Sequence, residues 1–313
     1  MSKMLLASLF QLGLLLCVSP LISGIIKTLK ARLQTRRGPG IFQPYRDLNK
    51  LFHKQMVIPE TASWIFAAAP ITVFATSVLV GLLVPMITAE APLSLFGGVL
   101  AVVYLLGLGR FFLALGGLDA GSSFGGLGSS REMTISALAE PAMMLAIFTV
   151  ALSSSSTNLS EVIRGAIGQS WRFLAPSQML AFAALFIVLI AETGRLPVDN
   201  PATHLELTMI HEAIILEYSG PYLALIELGA AVKQLILMTL LINIFYPFGL
   251  SLEWRPASLA IGCGSYLLKL IILSILIVLV ETTNAKMRLF RVPELLSVAF
   301  VLGALALIST FLF

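Results

Sequence analysis

Residues 4–26 read MLLASLFQLGLLLCVSPLISGII, a run of 23 positions without one charged side chain. At 1.5 Å per residue, a helix of this length covers the roughly 30 Å hydrocarbon core of a bilayer. Similar runs recur at about 65–89, 95–118, 133–152, 178–195, 223–247, 257–280 and 294–312. The pattern predicts an all-α polytopic membrane protein of about eight transmembrane helices, with residues 1–313 forming a single integral membrane domain. Composition excludes the soluble classes. The chain is 58% hydrophobic and only 12% charged, with a mean hydropathy of +0.96, whereas soluble domains carry about a quarter charged residues. The polar material is too scarce to clothe a water-exposed surface. Leu16, which is not small, precedes Cys17, and the apolar run continues through Ile26. The N-terminus therefore reads as a first membrane helix and not as a lipoprotein signal. There is no internal repeat to support an inverted-repeat transporter.

Charge in the connections sets the orientation. The stretch 27–64 holds Lys27, Lys30, Arg32, Arg36, Arg37, Arg46, Lys50 and Lys54. The seventh connection adds Lys286, Arg288 and Arg291, while the second has no basic residue and the sixth only Arg255. Odd-numbered connections are thus expected to be cytoplasmic (about 27–64, 119–132, 195–222 and 281–293) and both termini to lie on the outer side. The third connection, around Gly116–Arg131, is rich in Gly and Ser and lacks a phosphate-loop lysine, so it reads as flexible backbone and not as a nucleotide site.

Charges inside apolar spans are the most informative residues, because each is costly at the bilayer centre. Glu140 lies about 10 Å into its helix if that helix starts near 133. Glu192 ends the fifth span, Glu227 sits just inside the sixth, and Glu281 closes the seventh. Lys233 and Lys269 fall near the midplane. Glu227 and Lys233 are six apart, on different faces of one helix, so their counter-charges must come from other helices or subunits. Arg195 is three residues from Glu192 and pairs with it if the helix continues. Arg110 lies nearer the cytoplasmic helix end, from which it can snorkel, and reads as a structural residue.

His204 and His211 share a face if their segment is helical, with Glu206 and Glu212 beside them; proton handling or loop packing accounts for them better than a metal site, which needs more ligands in fixed geometry. Cys17 and Cys263 both lie in apolar runs and suggest neither a disulfide nor a cluster site.

Two of the long connections carry recognisable sequence. Arg36-Arg37-Gly38-Pro39-Gly40-Ile41-Phe42-Gln43-Pro44-Tyr45-Arg46-Asp47-Leu48-Asn49-Lys50-Leu51 resembles the first cytoplasmic loop of subunit 1 of respiratory complex I and of its homologue in membrane-bound [NiFe] hydrogenases. The fifth connection opens Glu192-Thr193-Gly194-Arg195-Leu196-Pro197-Val198-Asp199 and closes Glu217-Tyr218-Ser219-Gly220, again as in that family; Arg131 followed nine residues later by Glu140 has the family's spacing. The quinone-reducing branch places Phe at the position of Val198 and glutamates at those of Ala202 and His204. The form found here, His-Leu-Glu-Leu-Thr-Met-Ile-His-Glu over 204–212, is similar to the hydrogenase-4, formate hydrogenlyase and energy-converting hydrogenase branch.

The resemblance implies a membrane subunit of a complex-I-like [NiFe] hydrogenase, in the cell inner membrane, that couples electron transfer in a soluble arm to proton or sodium translocation. It implies a glutamate chain leading from the redox cavity into the membrane, and the charges read inside the spans, Glu140, Glu192, Glu227, Lys233, Lys269 and Glu281, are the candidates for that path. It also implies a docking and cavity surface containing Arg36, Arg37, Gln43, Asp47, Lys50, Arg131, Arg195, Asp199, His204, Glu206, His211, Glu212 and Glu217. The partners implied are hydrogenase-like large and small soluble subunits, antiporter-like membrane subunits and lipid, with no nucleic acid. No cofactor is expected on this chain; the iron–sulfur clusters and the NiFe centre belong to the partners. A quinone-site subunit of an NADH:quinone-type enzyme, a stand-alone channel or transporter, and a passive anchor remain as alternatives.

Overall fold

The computed structural model describes residues 2–167, 175–199, 209–252 and 254–312. Its elements are α1 (Ser2–Leu33), α2 (Gln43–Phe52), α3 (Trp64–Leu83), α4 (Val99–Asp119), α5 (Ser123–Ser153), α6 (Leu159–Ile167), α7 (Pro176–Glu192), α8 (His211–Ile215), α9 (Gly220–Phe245), α10 (Pro256–Thr283) and α11 (Val292–Leu312). Among the described residues, seven helices are long and apolar enough to cross a membrane, and α7 is a shorter apolar helix of 17 residues. Those eight correspond one for one to the eight apolar runs. No strand occurs among the described residues; two isolated bridges, Thr88 with Ser251 and Gly98 with Asn158, are the only β-type pairings.

Helix α3 packs against α4 and α9, α11 lies across α5 and α7, and α1 rests on α9 and α10. One apolar core runs through the bundle, with Leu15, Val103, Ala139, Val188, Leu235 and Ile277 fully buried. A second, smaller core lies where the start of α3 meets the end of α4 and α8, and there Phe66 stacks on Tyr218 with ring centroids 4.1 Å apart. There the Asp119 carboxylate, at the end of α4, accepts from the amides of Ser63 (2.7 Å) and Phe66 (3.1 Å), satisfying donors that the first turn of α3 leaves free. Burial, with Asp119 nearby, pushes the Tyr218 hydroxyl above its ordinary pKa, so it stays neutral.

The helix limits depart from the apolar runs where local chemistry intervenes. The span expected over 65–89 stops at Leu83, because Pro85 cannot continue a helix. Residues beyond it run extended beside Ser251, and the Asn243 amide donates to the carbonyls of Pro85 and Met86, both at 2.9 Å. The connection expected over 119–132 is a turn of three residues, since α5 begins at Ser123 and not near 133. Ser122 caps it, accepting from Gly125 at 3.1 Å. The glycines there serve close packing and not flexibility: a Cβ on Gly125 would fall 2.2 Å from the Gly117 carbonyl oxygen, and one on Gly128 would meet Ile214 and Ala213. Glu140 is consequently 17 residues into α5, about 25 Å along its axis.

The stretch 27–64 is more ordered than a loop. Helix α1 runs on to Leu33, and α2 forms a short helix within the stretch. The intervening turn folds back on α1, where Thr28 donates to the Pro39 carbonyl at 2.9 Å and the Tyr45 hydroxyl donates to the Cys17 carbonyl. Gly24 permits this approach, because a Cβ there would lie 2.0 Å from the Ile41 carbonyl oxygen. Gly24→Val is therefore expected to detach the turn from α1, since the clash is with backbone. Limited trypsin digestion of the protein in detergent should then cut after Arg36 or Arg37 at least about tenfold faster than in wild type; an unchanged rate would mean the turn is held elsewhere.

Candidate functional site

The charges inside the spans converge. Arg110, 5% exposed on α4, is their centre. Its Nη1 donates to Glu140 Oε1 on α5 at 3.1 Å, and its Nη2 donates to Glu192 Oε2 at the end of α7 at 2.7 Å. Lys233 on α9 reaches the same Glu192 oxygen at 2.7 Å. Four helices thus contribute to one chain, Glu140–Arg110–Glu192–Lys233, in which two carboxylates face two cations. Arg110 does not snorkel: it is buried within the bundle, and both its carboxylates lie on other helices. Glycine again makes the room. A Cβ on Gly107 would sit 3.1 Å from Glu140 Oε1, and one on Gly109 would sit 2.5 Å from Thr76 Oγ1.

A second cluster is centred on Glu281, 3% exposed at the end of α10. Lys30 reaches one of its oxygens at 2.8 Å and Arg195 Nη1 the other at 2.7 Å. Arg195 Nη2 also donates to Gln234 Oε1 at 2.8 Å, and Ser23 Oγ donates to that oxygen at 3.4 Å. The anticipated pairing of Arg195 with Glu192 does not form. Helix α7 ends at Glu192, Thr193 caps it, and Gly194 takes the left-handed conformation at φ +57°, which turns Arg195 away towards α9 and α10. A third pair, Lys286 with Asp199 at 3.5 Å, sits beside them, and Asp199 also accepts from the Ile210 amide at 3.2 Å.

The clusters line a cavity of about 330 Å³ between α1, α2, α3, α4, α5, α7, α8, α9 and α10. Among the described residues its wall carries seven carboxyl groups and five lysines and arginines, set among apolar side chains such as Leu106, Leu113, Ile135 and Ile226. Of the residues the sequence singles out, Asp47, Glu192, Arg195, Asp199, His211, Glu212, Glu227, Lys233 and Glu281 line it. Glu227 has Lys27, Glu212 and Asp47 as charged neighbours. Gln43 donates to Asp47 at 2.8 Å and so fixes that carboxylate on the first turns of α2. Arg131 donates to the Met209 carbonyl at 2.8 Å, tying α5 to the entrance of α8. Glu140 stands at the far end of its chain, its side chain 32% exposed on the flank of the bundle.

Other expected members lie elsewhere. Arg36, Arg37, Lys50 and Glu217 are exposed and outside the cavity. Lys269 donates to the Tyr246 carbonyl at 2.8 Å, at the C-terminus of α9, where a cation is favoured. It meets no carboxylate within 4.0 Å among the described residues. His204 and Glu206 fall outside the described residues. Sequence reasoning missed Lys30, Gln234 and Glu132 as cavity residues. Gln234 carried a signal, being a second polar side chain beside Lys233 in an apolar span. Lys30 did not, because the length of α1 hid it in an apparent loop.

A bundle of long apolar helices with paired charges in its interior defines a polytopic all-α membrane protein. The chain belongs to the NADH dehydrogenase subunit 1 family: the family model described as NADH dehydrogenase matches residues 5–312. It is 35% identical to hydrogenase-4 component C of Escherichia coli (strain K12) over 300 residues, covering 96% of this chain and 93% of that one. It is 32% identical to formate hydrogenlyase subunit 4 of the same organism over 301 residues, covering 96% and 97%. A chain from the solved membrane-bound sulfane sulfur reductase, an archaeal respiratory membrane complex, matches with a TM-score of 0.83 over 98% of this chain and 99% of that one. At 21% identity that match establishes a shared fold.

Proposed function

We propose that this chain is the membrane subunit of a complex-I-like [NiFe] hydrogenase complex, anchoring a soluble redox arm and coupling its electron transfer to the movement of protons or sodium ions. Likeness to hydrogenase-4 component C and formate hydrogenlyase subunit 4 along nearly the whole chain supports the kind of complex. The observation that carries the coupling role is the chain from the cavity through Glu192 and Arg110 to Glu140, whose carboxylate is partly open on the flank of the bundle. A carboxylate in such a chain gains or loses a proton as the charge beside it changes, which lets an event at the cavity be felt inside the membrane.

On this reading the cavity end, with α2 and α8, faces the cytoplasm of a cell whose inner membrane holds the complex, and both termini face outward. The exposed Arg36, Arg37 and Lys50, with Gln43 and Asp47 behind them, meet the large and small hydrogenase-like subunits, and antiporter-like subunits continue the membrane arm. The redox centres lie on those partners. Cys17 and Cys263 sit on different helices, and two cysteines do not supply the four thiolates a cluster needs.

The test is composition. The affinity-tagged chain, extracted from its native membrane in mild detergent, should bring down a [NiFe] large subunit and an iron–sulfur small subunit in about one-to-one ratio, with hydrogen-linked activity. Recovery with a flavin-containing NADH module and a bound quinone, or recovery alone, would overturn the reading.

A further inference from the structure

The two charge clusters differ in one respect that decides what they can exchange. In Glu140–Arg110–Glu192–Lys233, two carboxylates face two cations, so the charges balance in number. In the other cluster, Lys30 and Arg195 share the single carboxylate of Glu281. Arg195 is thus the surplus cation: were it to leave, Glu281 would still hold Lys30. An alternative partner lies close by along the chain. Glu192 Oε1 is buried without a hydrogen-bond partner among the described residues, and so is Arg195 Nε. Only Thr193 and Gly194 separate the two residues, and Gly194 has the backbone freedom that a turn of the chain there requires. A move of Arg195 from Glu281 to Glu192 would carry one positive charge from the second cluster to the first, leaving no carboxylate bare.

What opposes this move is Gln234. Its Oε1 receives both Arg195 Nη2 and Ser23 Oγ, while its Nε2 meets, among the described residues, the Met238 sulfur at 3.8 Å. Two donors on one oxygen orient the carboxamide as an acceptor aimed at Arg195. The residue is 6% exposed and adjoins Lys233, which holds the other cluster. We propose that Gln234 is a positioning residue: it holds Arg195 on Glu281 and off Glu192, and breaking this hydrogen bond together with the Arg195–Glu281 pair is the step that passes charge between the clusters. The inference rests on the coupling role proposed above and adds to it the latch that sets when the charge moves.

The experiment measures ions taken up per redox turnover by the intact complex in sealed vesicles. Gln234→Met preserves side-chain length and removes the oxygen. It should lower the ratio about tenfold, as expected for loss of a hydrogen bond to a charged group. A role in packing alone would leave Gln234→Met, of similar size, at the wild-type ratio, and that ratio would overturn the proposal. Gln234→Asn keeps the polarity of α9 and withdraws the oxygen by one methylene; it carries the test should Gln234→Met fail to assemble, and a wild-type ratio in it would also overturn the proposal. Glu192→Gln in the same vesicles separates the two levels. If it collapses the ratio while Gln234→Met and Gln234→Asn leave it intact, the latch fails alone; if all three leave it intact, the coupling role fails with it.

Discussion

Arg110→Leu is expected to remove most of the assembled protein from the membrane. Arg110 is the only cation that Glu140 meets among the described residues, and it is one of two on Glu192. Its loss leaves Glu140, 32% exposed, without a partner and weakens the hold on the buried Glu192. Removing one member of a buried ion pair costs about 3–5 kcal/mol because the remaining charge is uncompensated. Set against a total stability of about 5–15 kcal/mol for a folded domain, that is enough to deplete the folded state. Arg110→Lys keeps the charge but presents a compact ammonium in place of a planar fork, so it can serve one carboxylate well and not both. It should accumulate to an intermediate level. Both outcomes are read from the amount of tagged chain in the membrane fraction and from thermal unfolding of the purified complex in detergent. Wild-type accumulation and melting of Arg110→Leu would mean that Glu140 and Glu192 are held neutral, and the ionic chain described above would have to be abandoned.

The sequence exposed the helices better than it exposed their meeting points, and particular residues show why. Hydropathy reports only what solvent a segment prefers, and over twenty residues that signal is strong enough to place every long helix here. It says nothing of why a polar residue is present. Arg110 near a helix end satisfies the description of a snorkelling lysine or arginine as well as that of a buried hub; its two carboxylates, 30 and 82 residues further along the chain, are what decide between them. Glycine gave the opposite error. Around 116–128 it reads as flexible connection, yet Gly117, Gly125 and Gly128 are where backbones touch. The same side-chain deficit that loosens a turn also permits helices to approach, and only the neighbours distinguish the uses. Arg195 was misassigned for a third reason. Its spacing from Glu192 suits an i, i+3 pair, but Gly194 between them ends the helix, and a glycine at that position was itself the warning.

Glu140→Gln is expected to separate assembly from coupling more cleanly than any other single change in the chain. Glutamine matches glutamate in size and its carboxamide oxygen can still accept from Arg110, but it has no titratable proton. The side chain is 32% exposed, so the charge lost is one that water or a neighbouring subunit already partly screens, and Arg110 retains Glu192 at 2.7 Å. Accumulation and melting should therefore stay close to wild type. Ion uptake per redox turnover should fall about tenfold or more, the scale on which removing a proton-transfer group acts. Redox turnover slows as well if electron flow is tightly bound to ion flow. Glu192→Gln should lose coupling to the same degree and stability in addition, because Glu192 is 3% exposed and serves Arg110 and Lys233 at once. The contrast is what discriminates. If the buried charges only hold the subunit together, the effect of each substitution should follow burial, so that Glu192→Gln lowers accumulation and Glu140→Gln does nothing to either quantity. If they form a path, the two variants fail alike in coupling though they differ in burial. Sealed vesicles carrying the intact complex, with ion uptake and redox turnover recorded in the same sample, give both quantities, and an unchanged ratio in Glu140→Gln would return the chain to the role of a passive anchor.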